Sequence, residues 1–337
     1  MAFLFTIDCY HLLGFALGVI TTIALVWSKL KKELKLFGGT TADDDASSSR
    51  GNDNDEEKDD DRKFSKCKSA GCVRCSRKNS VISAAAELLD NYQSEHPKKL
   101  PRRIESAVDN YEEILTKLKG SMQQPNIFFL PGLRTSPFWN SNSFSKDANV
   151  LKKSFNEINK EFCTAYAKTA GWITNVVPTG EWHIYHLINQ GQVVEENAKC
   201  CPKTMKIARQ MDSAMKNNLF GNVSFSVIIP GTHITPHYGP CNFRIRAHLA
   251  LLAPTQCSLT VSGISKTWNA KDCLFFDDSF LHEVQHTGTD DHGPRAVLII
   301  DLWHPDLKNA ERNVIDYIFP GSGSGEKVNE HPIKKRL

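Results

Sequence analysis

The sequence predicts a mainly β domain with flanking helices, preceded by a single membrane-spanning helix. Three observations predict it. Short apolar segments recur between turn residues from Trp182 to Trp303, the density expected of a double-sheet β domain. In Ser80 to Leu118 and Asn149 to Lys168, apolar side chains return every three or four residues, which is the helical period. The run Tyr10 to Ser28 (YHLLGFALGVITTIALVWS) contains no Asp, Glu, Lys or Arg, and it approaches the roughly 20 residues a spanning helix needs.

In chain order, residues 1–9 form a short N-terminal segment and 10–28 an anchor. The anchor stays uncleaved, since no basic side chain precedes it and Leu25, Val26 and Trp27 are poor cleavage flanks. Gly14 and Gly18 have GxxxG spacing, which points to a weak homodimer through this helix. Lys29, Lys31, Lys32 and Lys35 follow the span and favour a cytosolic C-terminal part. Against them, Asn222-Val223-Ser224 is a glycosylation sequon.

Residues 29–78 are a charged tether. From Thr41 to Lys63 ten acidic side chains face four basic ones, a net of −6 in a chain of +3; with almost no apolar side chains, the stretch cannot offset its ordering entropy. Cys67, Cys72 and Cys75 have zinc-like spacing but lack a fourth ligand nearby, so reduced thiols or a disulfide serve as well. The positive excess elsewhere is scattered, with no aromatic-interleaved basic stripe, which argues against nucleic acid as a partner.

Residues 79–120 are a helical region, read as two helices broken at His96-Pro97 and Leu100-Pro101. The β domain covers 121–320, and 321–337 form a tail. Within the domain, Asn126 to Leu130 (NIFFL) reads as a strand and Asn149 to Lys168 as a helix. Trp182–Leu187, Val223–Ile229, Arg244–Leu252, Ser258–Val261, Asp272–Phe276 and Ala296–Trp303 read as further strands.

Two clusters carry chemistry. The stretch PGTHITPHYGPCNFRIRAH reads as a turn-rich loop delivering His237, followed by a strand on which Arg244, Arg246 and His248 share one face by period-two alternation. Inside a sheet these groups need an anion, while on an exposed face they cost little. In FFDDSFLHE an apolar strand ends in Asp277, Asp278 and His282; the acids fit either a second shell around a metal or a turn cap. Arg295 opens the strand AVLIIDLW, and its planar fork suits a carboxylate.

Together, PGTHITPHYGPCNFRIRAHLALL, FFDDSFLHEV and RAVLIIDLWHP resemble the aspartyl/asparaginyl β-hydroxylase family. The resemblance is strongest from Asn222 to Asp306. It implies a double-stranded β-helix (jelly-roll, cupin-like) domain that uses Fe(II), O2 and 2-oxoglutarate to hydroxylate aspartyl or asparaginyl side chains of a protein or peptide. It also implies that His237 and His282 hold the iron, and that Ser226, Arg246, His248 and Arg295 bind 2-oxoglutarate. Gly239 stands where most non-haem iron oxygenases place a carboxylate; the family shares that departure. An endoplasmic-reticulum membrane protein with a lumenal domain is implied as well, in opposition to the lysines after the span. Two other readings fit the same residues: a membrane-tethered binding module that keeps the fold without catalysis, and a cupin-like domain with another metal.

Overall fold

The computed structural model describes residues 78–97 and 100–321, and all of these except Tyr166–Lys168 belong to one compact unit. The anchor at 10–28 with Gly14 and Gly18, the acidic stretch, the Cys67 cluster and the tail from 322 lie outside the described residues. Among the described residues no helix is long and apolar enough to cross a membrane.

Two antiparallel sheets form the centre. The large one runs β1 (Phe138–Trp139), β10 (Cys273–Phe276), β7 (Arg244–Leu252), β12 (Arg295–Trp303), β5 (Val223–Ile228), β3 (Trp182–Asn189), β2 (Trp172–Asn175) in spatial order, with β4 (Gln192–Val193) beside β3. The small one runs β6 (His233–His237), β11 (His282–His286), β8 (Cys257–Val261), β9 (Ile264–Thr267). From β5 onward the chain alternates between them: β5, β7, β10 and β12 lie in the large sheet, and β6, β8, β9 and β11 in the small one. This alternation is the jelly-roll winding of a double-stranded β-helix. Ile228, Ala250, Leu259, Val261, Phe276, Val284, Val297 and Ile299 fill the space between the sheets.

Helices cover the outside. Phe162 of α5 (Phe155–Tyr166) packs on Phe225, ring centroids 5.4 Å apart. That helix is separate from α4 (Ser145–Lys153), so the continuous helix expected over 149–168 breaks at Ser154, whose φ of −91° and ψ of 3° leave the helical region. At the N-terminal side, α1 (Lys78–Glu95), α2 (Arg102–Asp109) and α3 (Tyr111–Leu118) share one apolar cluster with α8 (Asn309–Ile318), centred on Ile104, Phe128, Phe243 and Phe319. The second expected helix divides in two at Asn110, whose side-chain amide turns back on the Ser106 carbonyl, 2.8 Å away. This local bond competes with helix continuation. Two short helices, α6 (Glu195–Cys200) and α7 (Pro202–Gln210), follow β4.

NIFFL is not a strand. It makes one isolated bridge, Phe128 with Cys241, because its N–H groups run along Gly239 and Pro240: Asn126 donates to the Gly239 carbonyl, and Ile127 and Phe128 both donate to that of Pro240. Proline has no N–H to return, so no ladder propagates.

Candidate metal and carboxylate site

His237 is the last residue of β6 rather than part of a loop, and His282 is the first of β11; the two are register partners across the small sheet. β6 carries Pro236 and is the sheet's edge, where a missing N–H is tolerated. The rings lie with centroids 4.2 Å apart, tilted by 50°. Each Nδ1 faces a backbone carbonyl two residues back: Thr235 O at 2.8 Å from His237 and Phe280 O at 2.9 Å from His282. A carbonyl only accepts, so both Nδ1 atoms carry a proton; in the neutral rings the lone pair is then on Nε2, a tautomer suited to metal ligation.

Among the described residues no group of three or more His, Cys, Asp or Glu side chains forms a metal cluster. The reason no acid follows His237 is steric as well as chemical. A Cβ on Gly239 would lie 2.5 Å from the Asp278 carboxyl carbon, and Asp278 is itself buried. The Asp278 carboxylate already occupies the space that a side chain at 239 would enter.

Of Asp277 and Asp278, the first takes the expected turn-cap role and the second pairs with arginines. Asp277 caps the turn, accepting from the Ser279 N–H at 2.9 Å and the Ser279 hydroxyl at 2.5 Å. Asp278 pairs with Arg244 in a short contact, and the Arg246 guanidinium stands 3.7 Å away. Burial pushes the Asp278 carboxyl up, but the charges of Arg244 and then Arg246 outweigh it and hold the group below the carboxylate range.

Arg244, Arg246 and His248 point into the molecule, and the protein supplies the anions for the arginines. Arg246 grips Asp301 of β12 with two bonds, Nε at 2.8 Å and Nη2 at 3.1 Å. Asp301 also accepts from the Asn222 side-chain amide at 2.8 Å, so the sequon's asparagine is committed to this network. Arg244 adds a bond to the Phe220 carbonyl at 2.6 Å.

Some six residues along β12, the environment changes. Arg295 is buried, its guanidinium 4.7 Å from the Trp268 ring centre. Its Nη1 reaches the Ser226 carbonyl at 3.3 Å and hydroxyl at 3.5 Å, while its Nε has no hydrogen-bond partner. Burial draws its pKa down, with the Cys257 thiol acting in the opposite direction. Beside it, His248 Nδ1 accepts from Trp268 Nε1 at 3.3 Å. The His248 proton therefore sits on Nε2, which is buried without a partner. Burial, then Arg295 and Arg246, hold this imidazole well below its ordinary pKa, so it is a neutral donor. The Ser226 hydroxyl also receives Trp182 Nε1 at 3.1 Å.

The sequence-named residues thus gather in three places: His237 with His282, Arg246 with two carboxylates, and Ser226, His248 and Arg295 around an unfilled set of donors. Phe276 links the first and third, with ring centroids 4.9 Å from His248 and 5.9 Å from His282. Sequence reasoning missed Asp301, although 295, 297, 299 and 301 alternate onto one face; it also missed Trp268, for which no local signal exists. Chemically, the imidazole pair suits a borderline cation such as Fe(II). The orphaned donors of Arg295 and His248 suit a buried carboxylate.

A family model described as aspartyl/asparaginyl β-hydroxylase matches residues 140–305. Aspartate β-hydroxylase domain-containing protein 2 of Homo sapiens is 39% identical over 262 residues, which cover 76% of this chain and 71% of that protein. The corresponding protein 1 of Homo sapiens is 37% identical, covering 59% of this chain and 52% of that one. Aspartyl/asparaginyl β-hydroxylase of Homo sapiens is 30% identical over 205 residues, 59% of this chain and 26% of its own length.

Proposed function

Because the chain belongs to the aspartyl/asparaginyl β-hydroxylase family, we propose that it is an Fe(II)- and 2-oxoglutarate-dependent dioxygenase that hydroxylates aspartyl or asparaginyl side chains of a protein or peptide. One observation carries this reading: an imidazole pair with both lone pairs on Nε2 shares its interior with a buried arginine that no carboxylate of the described residues pairs with.

In this reading His237 and His282 hold Fe(II) through Nε2. Arg295 and Ser226 take the distal carboxylate of 2-oxoglutarate, and the neutral His248 donates its Nε2 proton to the same ligand. Arg246 keeps its two bonds to Asp301 beside this ligand set. The bound iron and 2-oxoglutarate supply the oxidising chemistry, consuming O2 and giving succinate and CO2 as one oxygen atom enters a substrate C–H bond. The protein's part is to orient these groups and to keep water out, for which Trp182, Trp268 and Phe276 line the interior.

The test is anaerobic binding of Fe(II) and 2-oxoglutarate to the full chain, then O2 addition with succinate detection. Expected are binding of both ligands and succinate formation with the wild type, with Fe(II) lost in His237→Ala and His282→Ala. Unchanged metal content in the folded variants overturns the ligand assignment, and a folded wild type that binds neither ligand overturns the enzyme reading.

A further inference from the structure

The segment Ser121–Asn126 (SMQQPN) lies outside both sheets yet is tied to the chain beside each proposed iron ligand. On the His282 side, Gln123 bridges to Phe280, and the Gln124 N–H donates to the Ser279 carbonyl at 3.1 Å. On the His237 side, the Asn126 amide side chain donates to the Tyr238 carbonyl at 2.9 Å, its N–H to the Gly239 carbonyl at 2.9 Å, and Gln124 Nε2 to the Tyr238 hydroxyl at 3.2 Å. One short piece of chain therefore spans the turns that flank both imidazoles.

Gln123 is buried, with its polar side chain turned inward. Its Nε2 donates to Asp277 Oδ2 at 2.7 Å and to the Ser279 hydroxyl at 3.0 Å. Asp277 holds the turn through its other oxygen. The same turn presents the Phe280 carbonyl that accepts from His282 Nδ1. A continuous path thus runs from the Gln123 amide, through the Asp277–Phe280 turn, to the atom that fixes the His282 ring. The N-terminal helical layer reaches the site by this path, since α3 ends only a few residues before it.

We infer that Gln123 is a positioning residue for the imidazole pair, setting the His282 ring through the Asp277–Phe280 turn. The inference rests on the Fe(II) reading above. Gln123 touches neither ligand; it fixes the carbonyl that fixes the ring. Removing a group bonded directly to a ligating imidazole lowers metal affinity by about 10- to 100-fold, and Gln123, acting one step further out, is expected at the low end of that range.

The test uses the full chain as wild type, His282→Ala, Gln123→Ala and Gln123→Glu. Fe(II) affinity is titrated anaerobically, and the visible spectrum of the Co(II)-loaded protein reports ligand geometry. Gln123→Ala is expected to bind Fe(II) about tenfold more weakly, with an altered Co(II) spectrum. Gln123→Glu supplies a comparison within one folded protein. Its new carboxyl faces Asp277, which burial pushes up to about 7, with Asp278 adding to that push against the bonds from Ser279 and Gln123. Asp278 in turn faces Arg244 and Arg246. At low pH the two facing carboxyls share a proton and keep the hydrogen bond, and they lose it as that proton leaves. Affinity of Gln123→Glu is therefore expected to approach wild type at low pH and to fall away from it as pH rises.

Wild-type affinity and spectrum in folded Gln123→Ala, or a Gln123→Glu profile parallel to wild type if the alanine variant does not fold, overturn the inference and leave the Fe(II) reading standing. A wild type that binds metal no better than His282→Ala removes the Fe(II) reading, and the inference falls with it.

Discussion

The inner face of the large sheet buries arginines at two places along β12, and the two differ in what neutralises them. Arg244 and Arg246 lie against Asp278 and Asp301, two cations with two anions, with Asn222 and the Phe220 carbonyl filling remaining positions. Arg295 has the face of Trp268, the Ser226 oxygens and the Cys257 thiol, none of which carries a full negative charge. A buried charge without a partner is costly. The first place, the finished end, is charge-balanced within the fold, while the second lacks a protein acid among the described residues, which is what the proposed 2-oxoglutarate site needs. The difference teaches that burial of an arginine alone does not point to a carboxylate ligand; what sets Arg295 apart is burial without a protein acid.

The largest expected effect tests the finished end. Asp278→Asn leaves Arg244, whose side chain is 4% exposed, with the Phe220 carbonyl and, of its acids, only the longer contact to Asp301. Breaking a buried pair on one side costs about 3 to 5 kcal/mol, to be read as a shift of the urea midpoint at constant slope. A loss below about 1 kcal/mol, the range of an exposed pair, would sink the claim that this end is charge-balanced by burial. The pH dependence has a definite sign. Asp278 is held below the ordinary carboxylate value near 3.9, so its stabilisation is fully present above about pH 4. It is lost as pH falls below that toward the depressed folded value. Asp278→Asn should lack this acid limb.

A smaller effect, of opposite sign in two measurements, tests the unfinished end. Arg295→Met removes a buried cation that no acid of the described residues balances, and it replaces it with a flexible apolar chain. Ligand-free thermal stability should hold or rise, because no counter-charge is orphaned. Affinity for 2-oxoglutarate should fall by about 10- to 100-fold, the worth of a charged hydrogen bond of roughly 1.5 to 3 kcal/mol. Melting temperature with and without 2-oxoglutarate reads both at once. Lower ligand-free stability with unchanged ligand response would mean that Arg295 is structural, like Arg244.

The contrast between the ends also marks what the sequence discloses. Strands β5, β7, β10 and β12 were readable because their apolar runs are bounded by turn residues, and β7 spans the expected Arg244 to Leu252. β6 and β11 were not, since HITPH and HEVQH hold one apolar residue each and are set by their neighbours, β6 by β11 and β11 by β6 and β8. These are the strands that carry the imidazoles. The period-two face of β7 was legible, but not which anion it meets. Asp278 and Asp301 lie 34 and 57 residues from Arg244, and only the alternation between sheets brings them together. NIFFL failed as a strand because its neighbour contains Pro240, a fact about a partner more than a hundred residues away.

The smallest expected effect asks whether the finished end is neutral as seen by a neighbour. His186 of β3 lies beside it, its Nδ1 2.7 Å from the Ser224 hydroxyl. Burial pushes its pKa down to about 4, with Arg246 acting in the same direction and Asp301 against it. Because the arginine and the aspartate oppose each other, burial decides the outcome. The imidazole stays neutral in the fold but takes up a proton near its ordinary value when unfolded. Its contribution is therefore intact above about pH 6.5 and lost as pH falls from there toward 4, a window above that of Asp278. His186→Asn should reduce the slope of stability against pH in this window by about one proton, with other buried histidines, His248 among them, retaining their share. An unchanged slope would mean that His186 titrates normally and that the Arg246–Asp301 pair leaves net negative charge at this end. The finished end would then differ from Arg295 by excess acid rather than by balance.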